Sequence, residues 1–409
     1  VPGRDGPTIR VSIAPEGKPK VRLDESHRVE ALDFEDNDSK ADKLTLTVEN
    51  GDLRNLDDPL WRKGGIVIWQ WGYEGNFSLP REAVIQKVTG FTKLKVECLA
   101  KSILMHKDKR ARKWTGLKRS QVAEKIADEW GYDAQHRDIE DTAVVCDTIH
   151  QAGLTDAQFL TRLARKEGFQ FYVDHTGMHF HRRRFDGKPK RVLHWYGDPG
   201  QGDVLAEPEI ENDITVRPGK VTVKARDPLK RTTVTGTGST TDTRHTSLAS
   251  TVEVIDEKTS TTTRKNIVST STVPGTASNQ AAAKRQADGK FLASSALVVK
   301  LKAPIIGDPQ MSAKTLVEWR GLGKRQSGNY YLRQVTTNVA AGNARQTVFC
   351  LRNGTAEYGG PRSGGKLNSQ KGAAKTAKGS APAGTDKAAL QVEVINSREG
   401  TTTTRWKKQ

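Results

Sequence analysis

QAGLTDAQFLTRLARKEGFQFYVDHTGMHFHR, residues Gln151 to Arg182, reads as a capped helix that runs into a β-hairpin. Thr155 is suited to the N-cap, and Gln158 three residues on completes a capping box. Phe159, Leu160, Leu163 and Ala164 recur at helical spacing and give the helix one apolar face. Gly168 closes it as a left-handed C-terminal residue. Phe169, Phe171 and Val173 then alternate at period two, Asp174 to Gly177 make the turn, and Met178 and Phe180 open the return strand. Pattern alone makes this an α+β fragment.

Outward from it, the chain is read as mainly β. In residues 1–100, strands are expected at Thr8 to Ile13, Leu44 to Glu49, Ile66 to Tyr73, Ala83 to Val88 and Leu94 to Leu99, with Gly or Pro between them. Short strands at this spacing favour a barrel or sandwich. Trp69, Trp71 and Tyr73 share a strand face with Val67, which suits a core or a subunit contact. Lys101 to Lys118 is strongly basic, and Ser120 opens a helix with Val122, Ile126 and Trp130 on one face. Residues 101–202 are thus the one α-rich part. After Gly197, strands are expected at Ile214 to Val216, Lys220 to Arg226, Thr232 to Thr235, Thr251 to Ile255, Ala296 to Ala303, Leu316 to Trp319, Tyr330 to Val335 and Gln346 to Leu351. A helix over Ser278 to Ser295 is interrupted by Gly289.

The two β-rich regions echo each other. Trp69, then QKVT (Gln86 to Thr89), then VECL (Val96 to Leu99) is matched by Trp319, RQVT (Arg333 to Thr336) and VFCL (Val348 to Leu351). Shared order and strand periodicity make this a duplication of one barrel around the middle segment. The expected division is a first tube-like β-barrel at 1–100, an α+β middle domain with a helix-hairpin at 101–202, and a second tube-like β-barrel at 203–354. A flexible linker and C-terminal arm follow at 355–409.

Composition narrows the chemistry. The formal net charge is +18, of which the tail from Thr355 holds ten Lys/Arg against four Asp/Glu. The rest is spread out, apart from His106 to Lys113 and His181 to Arg184, and no nucleic-acid-binding motif accompanies it, so specific nucleic-acid binding is not expected. Three distant cysteines, Cys98, Cys146 and Cys350, form neither a disulfide framework nor a zinc pattern and suit a reducing compartment. The chain has no run of eighteen apolar residues and its N-terminal VPGRDGPTIRVSIAP has no apolar signal core, so neither a membrane span nor Sec export is expected. G-x-S-x-G, H-E-x-x-H and P-loop motifs are missing. His179 and His181 share a strand face near His175, but no carboxylate or cysteine stands at ligand spacing in sequence. No catalytic, cofactor-binding or metal-binding residue is therefore expected.

The wording of several stretches goes further. FL-x-RLA with its acidic-Gly-aromatic hairpin entry, KADKLTLTVEN with GDLRN and DDPLWRKGG (Lys40 to Gly65), WGYEG (Trp71 to Gly75) and VTGFTKLKVECLAKS (Val88 to Ser102) resemble the late-control protein D group of phage tail proteins. So do IGDPQM (Ile306 to Met311) and GLGKRQSGNYYLRQVTTNV (Gly321 to Val339); the resemblance runs from about Lys40 to about Asn353. A His often follows the V-T pair in that family, where Thr337 stands here. The hub half of type VI valine-glycine-repeat spike proteins is related.

This resemblance implies a trimeric baseplate hub of a contractile tail, in which two barrels per chain let three molecules present six similar units. The implied partners are further copies of the chain, the tail tube protein, the central spike protein, baseplate wedge proteins and a tape-measure protein. Virion location, with assembly in the host cytoplasm, is implied too. Spike fusions of the family continue into further β domains, whereas here Gly359 to Gly384 is a Gly/Ala/Ser/Lys linker. Leu390 to Ser397 then alternates like a strand, and REGTTTTRW can pair back on it. Leu390, Val392, Val394 and Ile395 are the residues expected to form an interface, as an arm added to another protein's sheet edge. A peptidoglycan hydrolase of the puncturing device and a basic nucleic-acid-binding protein are the alternatives.

Overall fold

The computed structural model describes residues 6–15, 19–23, 28–185, 187–195, 203–212, 220–227, 231–239, 252–255, 262–265, 270–275, 277, 279–295, 299–340, 342–352, 391–395 and 403–407. The strand expected at Ile214 to Val216 and the interface residue Leu390 lie outside these. Residues 1–364 form one compact unit and 365–409 another.

Alternation of apolar and polar residues builds one large sheet in the first unit, antiparallel but for one outer pair. Its principal strands are β1 (Thr8–Ala14), β2 (Val29–Asn37), β3 (Lys43–Glu49), β4 (Ile66–Tyr73), β5 (Arg81–Gly90), β6 (Lys93–Ala100), β7 (Arg191–His194), β8 (Glu209–Asn212), β9 (Val299–Ile306), β10 (Leu316–Arg320), β11 (Gly328–Ala340) and β12 (Asn343–Arg352). The hydrogen-bonded order is β8-β9-β12-β11-β2-β3-β6-β5-β4-β1, with β10 on β11 and β7 on β10. One apolar core gathers Ile13, Leu44, Leu46, Trp69 and Val96, and a second gathers Leu301, Trp319, Leu332 and Val348.

The two expected barrels thus differ from what is seen. Among the described residues neither half closes on itself; a single open ladder runs through both. The reason lies in β11, which extends past its own hairpin needs and adds its far half to β2 of the first copy.

The middle segment carries both expected helices and the hairpin, with further strands beside them. Helix α1 (Arg119–Glu129) and helix α2 (Asp156–Glu167) each follow one strand of a long antiparallel ribbon, Lys109–Lys118 against Val145–Thr155. The basic run therefore folds largely as a strand, because its arginines find acids: Arg110 lies 2.9 Å from Glu129 and Arg112 2.7 Å from the same carboxylate. Thr155 caps α2 through the Gln158 N–H, and Gly168 follows at φ 73°. The hairpin Phe169–Asp174 with Gly177–Arg182 carries a third strand, Arg137–Ile139, in parallel.

Helix α3 (Gln280–Ser295) is not interrupted at Gly289. The glycine instead lets α3 touch the end of α2: a Cβ there would lie 2.5 Å from the Gly168 Cα. Gly to Ala inside a helix is normally worth about 1 kcal/mol in favour of Ala. Here the clash reverses the sign, so Gly289→Ala is expected to lower stability by about 1–3 kcal/mol in a denaturant titration.

Candidate subunit interface

The two halves are copies at the level of individual ladder pairs. In the first, Ile85 faces Cys98 and Val88 faces Val96, and the ladder skips one residue between Ile85 and Lys87. In the second, Leu332 faces Cys350 and Val335 faces Val348, with the skip between Leu332 and Gln334. At the next seam Trp69 faces Arg81 and Val67 faces Ala83, as Trp319 faces Gly328 and Val317 faces Tyr330. Leu44 with Cys98 and Leu46 with Val96 correspond to Leu301 with Cys350 and Ala303 with Val348. Phe34 with Leu44 and Glu35 with Lys43 correspond to Ile210 with Leu301 and Glu211 with Lys300.

Even the backbone entering the bulge is repeated. The Ile85 N–H donates to the Gly65 carbonyl and the Gly64 N–H to that of Ile85; Leu332 and Thr315, then Lys314 and Leu332, do the same. Gly64 sits at φ 94° and its counterpart Lys314 at φ 66°, where a side chain is strained. The copies differ at their outer strands, since β1 runs antiparallel to β4 but β7 parallel to β10. Cys98 and Cys350, at matched positions, are buried, and burial pushes both thiols up to about 12, so neither is a nucleophile.

Within one chain the copies meet where β11 pairs with β2, from Gln334 opposite Asn37 to Ala340 opposite Ala31. A buried ionic group locks this seam. Lys314 Nζ lies 2.7 Å from Asp36 Oδ1 and 3.1 Å from Asp42 Oδ1, and Arg81 lies 3.0 Å from Asp36 Oδ2. The Ala313 N–H also donates to Asp36, and the ammonium sits 4.9 Å from the centroid of the Tyr172 ring of the middle segment. Beside it Asp38 accepts from Gln170 and pairs with Arg183. Both copies and the middle segment thus converge on the end of β2.

Burial alone would raise Asp36, but Lys314 and Arg81 hold it down at about 2. Burial raises Asp42 too; Lys314 opposes this while the Asp36 charge adds to it, and Asp42 ends at about 6. With the folded pKa above the unfolded one, Asp42 contributes stability below pH 3.8 that is lost as pH rises through 6. A pKa moved that far from its unfolded value corresponds to a loss on the order of 3 kcal/mol. Asp42→Asn is expected to remove that part of the decline between pH 4 and pH 7, measured by thermal melts across the range.

The duplication also leaves a matched pair of open edges. The outer side of β5 from Lys87 to Gly90 is the counterpart of the part of β11 that takes β2, and among the described residues no strand pairs with it. The outer side of β8, the counterpart of β2, is likewise the end of the ladder, and all four of its residues are exposed. Transferring the β11–β2 register sets Val88 opposite Asn212, Thr89 opposite Glu211 and Gly90 opposite Ile210. Ile210, 36% exposed, then falls diagonally across from the half-buried Val88. Its counterpart Phe34, opposite Thr337 in the β11–β2 ladder, is buried at 6%. Lys87 comes diagonal to Glu211, an attractive cross-strand pair.

The residues singled out from sequence are distributed differently. Val67, Trp69 and Trp71 are core, at 2% exposure or less, so of the two readings of that stripe the core is the one seen. Val392, Val394 and Ile395 lie on a strand, Gln391–Ile395, paired with Thr403–Lys407 in the second unit; Val392 faces Trp406 and Val394 faces Thr404. Lys314, Asp36 and the β5 and β8 edges were not found by sequence reading. The only signal for the edges was the repeat itself. The basic cluster at His181 to Arg184 is internally neutralised, with Arg182 on Glu140, Arg183 on Asp38 and Arg184 on Asp138.

The architecture has solved counterparts. A tail protein from Neisseria meningitidis is similar at 14% identity and a TM-score of 0.59, covering 84% of this chain and 96% of its own. The 43 kDa tail protein of a Shewanella oneidensis prophage gives 13% and 0.56, over 85% of this chain and 99% of its own. A prophage tail protein from Listeria monocytogenes gives 10% and 0.51, over 83% and 94%. At these identities the likeness is one of fold. No curated protein sequence matches. Residues 81–341, more than half of the chain, match the family model described as the Alg8 N-terminal domain, which is not the late-control D group. The chain belongs to the Alg8 N-terminal domain family.

Proposed function

We propose that the chain is a structural hub of a contractile phage tail, a homotrimer whose six β units match a hexameric tail tube on one side and a trimeric spike on the other. The observation that carries this is the pair of strand edges left unpaired among the described residues; applied between protomers, the register that β11 and β2 use within a chain lays β8 of one on β5 of the next. Edge-to-edge pairing of this kind is head-to-tail, so it builds rings when the rotation closes. The fold shared with three tail proteins supports the tail setting. The finer resemblance to the late-control D group, carried by the motifs above, supports the hub position.

The work of such a hub is mechanical. The ring joins tube and spike, touches wedge and tape-measure proteins, lines part of the ejection channel and resides in the virion after assembly in the host cytoplasm. Leu390, Val392, Val394 and Ile395 belong to an arm that adds to a neighbouring sheet edge. A hub of this kind performs no catalytic step. Among the described residues no helix is long and apolar enough to cross a membrane. Ion pairing within both basic clusters weighs against a nucleic-acid surface. The test is a mass measurement: light scattering of the purified chain with its tube and spike proteins should give three copies per complex. A chain that stays monomeric with both partners present would contradict the proposal, and clearing of peptidoglycan in a zymogram would favour the hydrolase.

A further inference from the structure

The hairpin that has no carboxylate at ligand spacing in sequence acquires one from a separate strand. The parallel pairing of Arg137–Ile139 sets Asp138 opposite His179. The geometry points to a divalent transition-metal site, of the zinc class, formed by Asp138, His179 and His181.

The protonation of both imidazoles is set by their second nitrogens. His179 Nε2 lies 3.1 Å from an Asp174 carboxylate oxygen and 2.8 Å from the Thr176 hydroxyl, so it carries the proton. Its Nδ1 is then a lone pair, buried and without a hydrogen-bond partner. His181 Nδ1 lies 2.7 Å from the Arg182 carbonyl, which only accepts, so its proton is there and Nε2 is the lone pair. Both lone pairs face the same oxygen: His179 Nδ1 and His181 Nε2 are each 3.8 Å from Asp138 Oδ2. A hydrogen-bonded partner on the far nitrogen is how proteins orient metal-binding histidines. Tyr172 stacks on the His179 ring at 4.5 Å and fixes its plane.

The three ligand atoms lie within 4.8 Å of one another. Tetrahedral zinc with bonds near 2.1 Å spaces its ligands about 3.4 Å apart, so both 3.8 Å carboxylate–imidazole separations close by a few tenths of an ångström, and rotamer changes at the two histidines draw their nitrogens, now within 4.8 Å, together. Two imidazoles favour zinc and its late first-row neighbours over magnesium or calcium. Two groups compete for the same atoms. The Arg184 guanidinium lies 2.8 Å from Asp138 Oδ2, and the Tyr172 hydroxyl donates to His181 Nε2 at 3.2 Å. Arg184 is 57% exposed and can swing away, which opens the fourth position to water. A bound ion would staple the three-residue strand 137–139 to the hairpin.

The full chain, stripped with a chelator and dialysed, is titrated with zinc by calorimetry, with bound metal counted after gel filtration. One zinc per chain is expected. Asp138→Asn and His179→Gln should abolish it, whereas His136→Gln, at an exposed histidine outside the cluster, should keep it. Asp174→Ala should weaken binding by about 10–100-fold. Arg184→Ala, an exposed change that leaves the fold intact, should strengthen binding severalfold by removing the competing cation. Absence of zinc from the parent chain, or a full zinc equivalent retained in both Asp138→Asn and His179→Gln, would overturn the site. Unchanged affinity in Arg184→Ala would also count against it, whatever the folding of the other variants.

Discussion

Lys314→Met is expected to be the most damaging single substitution outside the apolar cores, lowering stability by about 3–5 kcal/mol at pH 7. Lys314 is almost fully buried between Asp36 and Asp42, and although burial alone would lower its pKa, these two carboxylates raise it, so it is a cation at all working pH. Removing it strands a carboxylate pair in the seam between the two copies. Arg81 still serves Asp36, but Asp42 is left with backbone support from the Asn37 N–H only. The deficit should shrink toward pH 4, where Asp42 takes up a proton. Urea titrations at the two pH values measure both effects. Lys314→Gly relieves the left-handed backbone at φ 66° and should fall between Met and the parent. A loss below about 1 kcal/mol for Met at pH 7 would mean the ion group does not hold the seam.

Val88→Pro is expected to abolish assembly while leaving the isolated chain folded. The Arg333 carbonyl accepts from the Asp38 N–H, so alternate residues of β11, Val335 among them, direct their backbone groups at β2. Val88 is the counterpart of Val335, and its N–H therefore points away from β6 at the open edge. Proline there deletes a donor that the monomer does not use within its ladder, the setting in which a strand tolerates proline. The same change at Val335 deletes an N–H used inside the chain and should destabilise the monomer itself. Sedimentation and melting of the two variants side by side give the contrast. Normal trimers from Val88→Pro would rule out this edge as the contact.

What could be read from sequence was what local chemistry decides. Thr155, Gln158 and Gly168 marked the ends of α2 because a cap and a left-handed closure are satisfied within a few residues. QKVT and RQVT marked the duplication because each sits at the bulge of a hairpin, and the bulge fixes the register of everything beside it. What could not be read depended on distant partners. The strand β2, VEALDFEDN, looks too acidic for the middle of a sheet; Asp36 is buried there only because Lys314 and Arg81 arrive from elsewhere. The basic run at 109–118 becomes a strand because Glu129 and Asp156 lie beside it. Gly289 reads as a helix break until Gly168 is found against it. Short strands at regular spacing suit a barrel, but their spacing does not say that β11 pairs with the neighbouring copy.

A disulfide across the open edges tests the assembly most directly. Thr89→Cys and Glu211→Cys, combined with Cys146→Ser, place thiols at positions that the transferred register sets directly opposite, about 4.5–5.5 Å apart at Cα. Oxidation under assembling conditions should yield a covalent ring of three chains on a non-reducing gel, collapsing to single chains with reductant. Single chains before and after oxidation, under conditions where the parent assembles, would contradict the ring.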